Sequence, residues 1–297
     1  MTKLVKPLNI LVKRRAAIGD VIMTTGIVRE LKKKFGDNAN VYVATDCAEV
    51  YKNNPHIAGL VPMNAVDANQ FDVVYNLDDA YEYDPDIHFV DSYFYRVFGD
   101  ANINKSVELF PAGVDYVDFN KIKEQHGLDK YIVIHMRNWH WQAKNVSLDV
   151  WFDVFAKLFE ERDDFKIVTI GGHTDHTVEH PNFVDLRNAG LNSQQMKLLC
   201  DDAACFVGID SGPFQCAAAS NTHIVALLTH LRPERIIPDR KWQRGHNVTV
   251  IQTNEDCRGC ADRQQLPVRQ INCEKGNYPC VNNFDTDKIA KSILKTL

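Results

Sequence analysis

Four groups of residues in this chain have the types and spacing to do chemistry. The first is Cys205-Phe206-Val207-Gly208-Ile209 followed by Asp210-Ser211-Gly212-Pro213. The apolar run reads as a buried parallel strand. Asp210 or Ser211 can cap the next helix, and Pro213 suits its first turn. The small residues Cys216 to Ala219 let that helix pack closely on a sheet. Backbone N–H groups of Ser211 and Gly212 then sit at a helix N-terminus, where an anion is favoured. An ordinary strand–helix turn is the plain alternative. The second group is Gly19-Asp20, after the strand Leu8 to Val12. Open α/β sheets place ligands at the carboxyl ends of strands, so Asp20 could act there as a general base or simply cap its helix.

The third group lies between Arg137 and Lys144, after Tyr131 to His135. Cations there suit a leaving diphosphate, though a solvated lysine is equally ordinary. Trp139, His140 and Trp141 share the loop and could stack on a base, whereas His135 reads as a satisfied strand histidine. The turn Gly171-Gly172-His173-Thr174-Asp175 permits close backbone approach to a ligand. His173, His176 and His180 read as exposed loop histidines, because no helical i, i+4 pair with a third ligand is present. The fourth group is Cys257-x2-Cys260-x12-Cys273-x6-Cys280. Four soft thiolates in one loop-like segment suit a structural zinc or iron. The other cysteines, Cys47, Cys200, Cys205 and Cys216, read as small apolar residues.

These groups need a scaffold of alternating strands and helices, and the chain supplies one. Strands are expected at 8–12, 41–44, 60–63, 71–77, 131–135, 165–170, 205–209, 223–228 and 248–252. Helices are expected at 21–35, 48–53, 120–126, 148–161, 193–202 and 285–297. Such alternation implies βαβ units and parallel sheets. The aromatic and acidic stretch from Asp78 to Gly99, including Tyr81 and Glu82, suits either an acceptor cleft or a helix packed by Phe89, Tyr93 and Phe98. Residues 102–129 read as a tether between two halves.

Bulk properties exclude several classes. The chain has 297 residues, 45% apolar and 25% charged, with a net charge of −5. This is the composition of a globular protein, and nothing in it points to nucleic acid. No apolar run reaches the ~20 residues that span a bilayer, and Met1 to Pro7 lacks a signal-peptide core. A cytoplasmic protein is expected, with peripheral membrane contact left open.

Two of the motifs also carry a resemblance. Gly208, Asp210, Ser211, Gly212, Ala217, Ala218 and Ala219 match the G-x-D-S-G-x-x-H-x-A-A-A pattern of the heptosyltransferase-like glycosyltransferases, family 9. Gln215 stands where that family usually has His. Arg14, Gly19, Asp20, Val28 and Leu31 fit its N-terminal pattern, with Gly26 in place of a proline. Lys144 and Trp151 fit its basic residue before a tryptophan-bearing helix. A C-terminal cysteine cluster also occurs in many members, and among autotransporter heptosyltransferases a comparable cluster holds iron. The resemblance implies an α/β protein of glycosyltransferase type B, two Rossmann-like domains facing across a cleft. Residues 1–128 would bind acceptor and 129–297 the nucleotide sugar. It further implies sugar transfer, heptose from an ADP-sugar being favoured, to a glycan, lipid-linked or protein acceptor, with Asp20 as base and no catalytic metal. Arg137, Lys144, Gly171, Asp210, Ser211, Gly212 and Gln215 would hold the donor. A nucleotide-sugar epimerase on this architecture, or a silent sugar-nucleotide-binding protein that recruits partners, are the alternatives.

Overall fold

The computed structural model describes residues 6–84, 86–263 and 272–297, so Met1 to Val5 of the N-terminal reading lie outside it. Two parallel sheets form the protein. The first holds β1 (Leu8–Lys13), β2 (Ala39–Ala44), β3 (Gly59–Val61) and β4 (Val73–Asn76), in the order β3-β2-β1-β4. Central β1 runs beside β2 from Leu8↔Ala39 and beside β4 from Ile10↔Val73. Its Ile10, Leu11 and Val12 are fully buried, as expected of a strand covered on both faces.

The second sheet holds β5 (Tyr131–Ile134), β6 (Lys166–Thr169), β7 (Phe183–Asp185), β8 (Cys205–Gly208), β9 (His223–Leu228) and β12 (Val248–Gln252), in the order β12-β9-β8-β5-β6-β7. A two-residue ribbon, β10 (Asp239–Arg240) with β11 (Gln243–Arg244), lies between β9 and β12 in the chain. Counted from β5, the six strands follow the doubly wound order 3-2-1-4-5-6. Both sheets therefore reverse strand order beside their first strand, at β1/β4 and β5/β8.

Helices cover the sheets. α1 (Ile18–Met23) and α2 (Thr25–Phe35) follow β1, and α3 (Phe89–Phe98) and α4 (Gly113–His126) follow β4. Then come α5 (Leu148–Glu161), α6 (Ser193–Asp202), α7 (Gly212–Ala218), the single turn α8 (Pro233–Ile236) and α9 (Thr286–Leu294). No helix among the described residues is long and apolar enough to cross a membrane. The helix expected from Val21 to Phe35 is broken at Thr24. The Thr24 hydroxyl donates to the Val21 carbonyl at 2.7 Å and pairs with the buried Tyr51 hydroxyl at 2.8 Å, so the side chain competes with the helical ladder. α4 is longer than the expected turn at 120–126, and β7 was not foreseen, since a three-residue edge strand carries little periodicity.

One core cluster runs through both sheets, joining Ile10, Val12 and Ile27 to Val133, Phe206 and Phe214. A second lies under α5 and α9, where Trp151, Val154, Leu158, Ile289 and Ile293 cover the outer face of the second sheet. The halves meet most closely where α1 and α7 begin. A Cβ on Gly19 would stand 3.5 Å from the Gly212 Cα, and one on Gly212 would stand 2.6 Å from the Ile18 Cγ2. Overpacking of this kind costs about 1–3 kcal/mol. Gly212→Ala is thus expected to lower the unfolding free energy by about that amount in urea titration. Gly113→Ala, which meets no atom within 4 Å, should not lower it. Equal effects from both would remove the contact as the explanation.

Candidate active site

The two points of strand reversal face each other across one cavity of about 610 Å³. Its walls include every residue that the sequence singled out for catalysis or donor binding: Asp20, Arg137, Lys144, Gly171, Asp210, Ser211, Gly212 and Gln215. Loops after β1 and β4 form one wall, and loops after β5, β6 and β8 the other. A ligand crevice is expected at such reversal points.

On the first wall, Asp20 stands in the first turn of α1. Its Oδ2 accepts the Ala17 N–H at 3.1 Å and pairs with Arg14 Nη2 at 3.3 Å, while Oδ1 accepts the Tyr81 hydroxyl at 2.7 Å. Ala17 has no side-chain oxygen to return the cap. Tyr81 stacks on Phe89 with centroids 3.9 Å apart. Burial and the neighbouring Asp20 charge raise the Tyr81 phenol well above its ordinary range, so it remains a donor. Arg14, buried, also pairs with Glu82 at 3.0 Å. Burial works against the Arg14 charge, but Tyr93, Asp20 and Glu82 more than restore it. Glu82 is raised, burial outweighing the attraction of Arg14. Tyr81 thus belongs to this wall and Glu82 stands behind it on Arg14, although the sequence marked them only as part of an aromatic, acidic stretch.

The second wall carries two cations, Arg137 and Lys144, beside two carboxylates, Asp175 and Asp210. Lys144 Nζ donates to Asp210 Oδ2 at 2.8 Å and lies 5.3 Å from the Trp141 ring centroid. Asp210 is lowered: burial opposes its charge, and Lys144 and then Arg137 overcome it. Burial lowers Arg137 against the pull of Asp210, and its buried Nε has no partner among the described residues. Ser211 caps α7 through the Phe214 N–H at 3.3 Å, and Pro213 follows in the first turn. Gln215 is 2% exposed and its Nε2 is likewise without a partner among the described residues.

Gly171 adopts φ +132°, and a Cβ there would overlap the Asp175 carboxylate. Asp175 accepts N–H bonds from Gly172 and Asn138, both at 2.8 Å, and meets His135 Nε2 at 3.2 Å. Burial tends to raise Asp175, but His135 and these amides hold it down at about 2. The second nitrogen of His135, Nδ1, lies 3.0 Å from Ser211 Oγ. His135 is thus satisfied, as read from sequence, but by two cleft residues rather than by its strand.

Cys257, Cys260, Cys273 and Cys280 line one small cavity of about 10 Å³, together with His230 and Ala143. Its size and donor chemistry fit a single thiolate-bound ion. No three of the sulfurs lie within 4.8 Å of one another, whereas a tetrahedral thiolate site draws them to about 3.8 Å. Burial, then the neighbouring thiols, pushes Cys280 up to about 12. His230 Nδ1 lies 3.2 Å from the Ala143 carbonyl and the His230 carbonyl accepts the Ala261 N–H at 3.2 Å, so His230 links the turn that ends in Lys144 to the cysteine segment.

The depressed Asp175 carboxyl has a consequence for stability. A group whose folded pKa lies below its unfolded value stabilises above the unfolded value and loses that contribution as pH falls toward the folded one. The gap in unfolding free energy between wild type and Asp175→Asn should be about 1–2 kcal/mol at pH 6, allowing for partial screening. It should close as pH drops from 4 toward 2. A gap that ignores pH would show that the His135 and amide contacts do not favour the ionised carboxyl.

No protein-family model matches this sequence, and no curated protein does. Solved structures match it over nearly its whole length. A family 9 glycosyl transferase from Veillonella parvula shares a TM-score of 0.75 at 15% identity, covering 98% of this chain and 97% of that one. Escherichia coli ADP-heptose LPS heptosyltransferase II gives 0.69 at 14%, covering 97% and 98%. The dodecameric iron-containing heptosyltransferase TibC of enterotoxigenic E. coli, in complex with ADP-D-β-D-heptose, gives 0.71 at 15%, covering 98% and 77%. At such identities the likeness concerns the fold, and it falls on the family that the Gly19-Asp20 and Asp210-Ser211-Gly212 motifs resemble: the chain has the two-sheet fold of the family 9 heptosyltransferases.

Proposed function

We propose that this protein is a glycosyltransferase that moves a sugar, heptose being the first candidate, from a nucleoside diphosphate to an acceptor hydroxyl. One observation carries the reading. A single cavity sets the Asp20 carboxylate against Arg137, Lys144 and the N-terminus of α7. Asp20 takes the proton of the acceptor hydroxyl, and the acceptor oxygen bonds to the anomeric carbon as its bond to the diphosphate breaks. The departing diphosphate gains negative charge, which Lys144, Arg137 and the Ser211 and Gly212 amides offset. Asp210 Oδ2 holds Lys144 in place, leaving Oδ1 for a hydroxyl of the transferred sugar. The unpartnered Gln215 amide donates to the same sugar or its phosphate. Gly171 lets the chain pass close to the donor.

Asp20 begins with three donors on its two oxygens. The acceptor hydroxyl therefore has to take the place of the Tyr81 hydroxyl on Oδ1. Phe89, Tyr93 and Arg14 hold Tyr81 beside that position. Fixed cations and a helix end serve the leaving group, so catalysis is assigned no metal. The four cysteines are assigned a structural zinc or iron. Such an ion would brace the turn carrying Lys144 from behind.

A thermal-shift panel of ADP, UDP, GDP, CMP and NAD tests the donor class. A ligand at ~100 Kd stabilises by ~2.7 kcal/mol. A selective shift with ADP supports ADP-heptose as donor, and silence toward every nucleotide sinks the reading. With donor and acceptor in hand, Asp20→Asn is expected to lower kcat roughly 10²–10⁴-fold with donor Kd unchanged within about twofold. A full-rate variant would return Asp20 to the role of helix cap. Metal analysis of purified protein should find one ion per chain. Its chelation should lower both Tm and nucleotide affinity. Metal-free protein with unchanged Tm and affinity contradicts the brace.

A further inference from the structure

Three side chains along the donor wall form a continuous chain that the proposed reaction leaves unused. Asp175 Oδ2 lies 3.2 Å from His135 Nε2, and His135 Nδ1 lies 3.0 Å from Ser211 Oγ. His135 is 3% exposed and Ser211 7%, yet all three residues line the cavity. Ser211 Oγ also accepts the Phe214 N–H.

The hydrogen positions follow from this connectivity. Asp175, ionised and already accepting two amides, can only accept, so His135 Nε2 carries a proton. In the neutral ring Nδ1 is then an acceptor, and the Ser211 hydroxyl hydrogen turns to it, away from the cleft. In the protonated ring Nδ1 donates instead. Ser211 Oγ then receives both His135 and the Phe214 amide, and its own hydrogen is released toward the cleft. A phosphate oxygen there would accept it. Charges of both signs surround the ring. Asp175 and Asp210 favour a protonated His135. Arg137 on its own loop, Lys144 on the facing turn and Arg187, which bonds the Asp175 carbonyl, oppose it. His176, next to Asp175, is lowered by burial and stays neutral. Two added phosphate charges favour the protonated ring.

We propose that the Asp175–His135–Ser211 chain couples capture of the donor diphosphate to uptake of one proton by His135, which positions the Ser211 hydroxyl as a phosphate donor. This rests on the reading of the cavity as a nucleotide-sugar site. Because binding takes up a proton, affinity is greatest at low pH and falls as pH rises, by at most roughly tenfold per pH unit.

The test is calorimetry with ADP-glucose, and UDP-glucose as second probe, whose diphosphates do not titrate near neutrality. Titrations run in pairs of phosphate-free buffers of different ionisation enthalpy at several pH values from 6 to 9. Wild type is expected to show a buffer-dependent heat corresponding to uptake approaching one proton. His135→Asn should bind without uptake and with a flat pH dependence of Kd. Ring ¹⁵N shifts of His135 in wild type report the same event without a variant, moving to the doubly protonated pattern on binding. Binding with no uptake, uptake that persists in His135→Asn, or unmoved ring shifts overturns the coupling alone. Failure of both probes to bind overturns the nucleotide-sugar reading and the coupling with it.

Discussion

The close contact between the first turns of α1 and α7 is the constraint on which the rest depends. Gly212 leaves no room for a side chain, since its Cβ would stand 2.6 Å from the Ile18 Cγ2, whereas a Cβ on Gly19 would rest in ordinary contact 3.5 Å from the Gly212 Cα. Two helices of different sheets therefore begin almost at the same place. Because each helix starts at the carboxyl end of its sheet's reversal point, the contact turns two separate crevices into one. The carboxylate carried by α1 and the N-terminal end of α7 face a shared volume because Gly212 lets the two turns approach so closely.

Most charges in that volume have a fixed partner. Asp20 is held by Arg14 and Tyr81, and Lys144 by Asp210. Fixed partners keep polar groups aimed before a ligand arrives, so little reorganisation remains for the reacting state. Arg137 and Gln215 are the exceptions, each with a buried nitrogen unmatched among the described residues. Unmatched buried donors are costly, and a ligand that supplies acceptors would relieve them.

Much of this was legible before any coordinates. Strand–helix alternation announced parallel sheets, and α6, β9 and β12 begin and end where the apolar pattern said. α5 does too, because Leu148 to Glu161 carries an unbroken apolar stripe and a serine cap. Both glycine-bearing turns were visible because their residues are unusual at strand ends. What stayed hidden depends on distance in space. Thr24 breaks a helix through a tyrosine 27 residues away. His135 looked like a strand residue, since nothing local shows that Asp175 and Ser211 converge on it. The role of Tyr81 beside Asp20 spans 61 residues and a whole sheet.

Arg235 adds a consequence for how such proteins diversify. It is 2% exposed, its Nε donates to Asp262 at 3.1 Å, and its Nη1 donates to the Asp84 and Ile87 carbonyls while the guanidinium lies over Phe89. One side chain from the second half therefore pins both the aromatic loop of the first half and the start of the cysteine segment. The halves are not interchangeable modules. A chimera that took its first half from another protein would have to bring a matching loop for Arg235 and a residue the size of Ile18 against Gly212. Wholesale exchange of halves in this architecture is thus blocked by a handful of buried contacts.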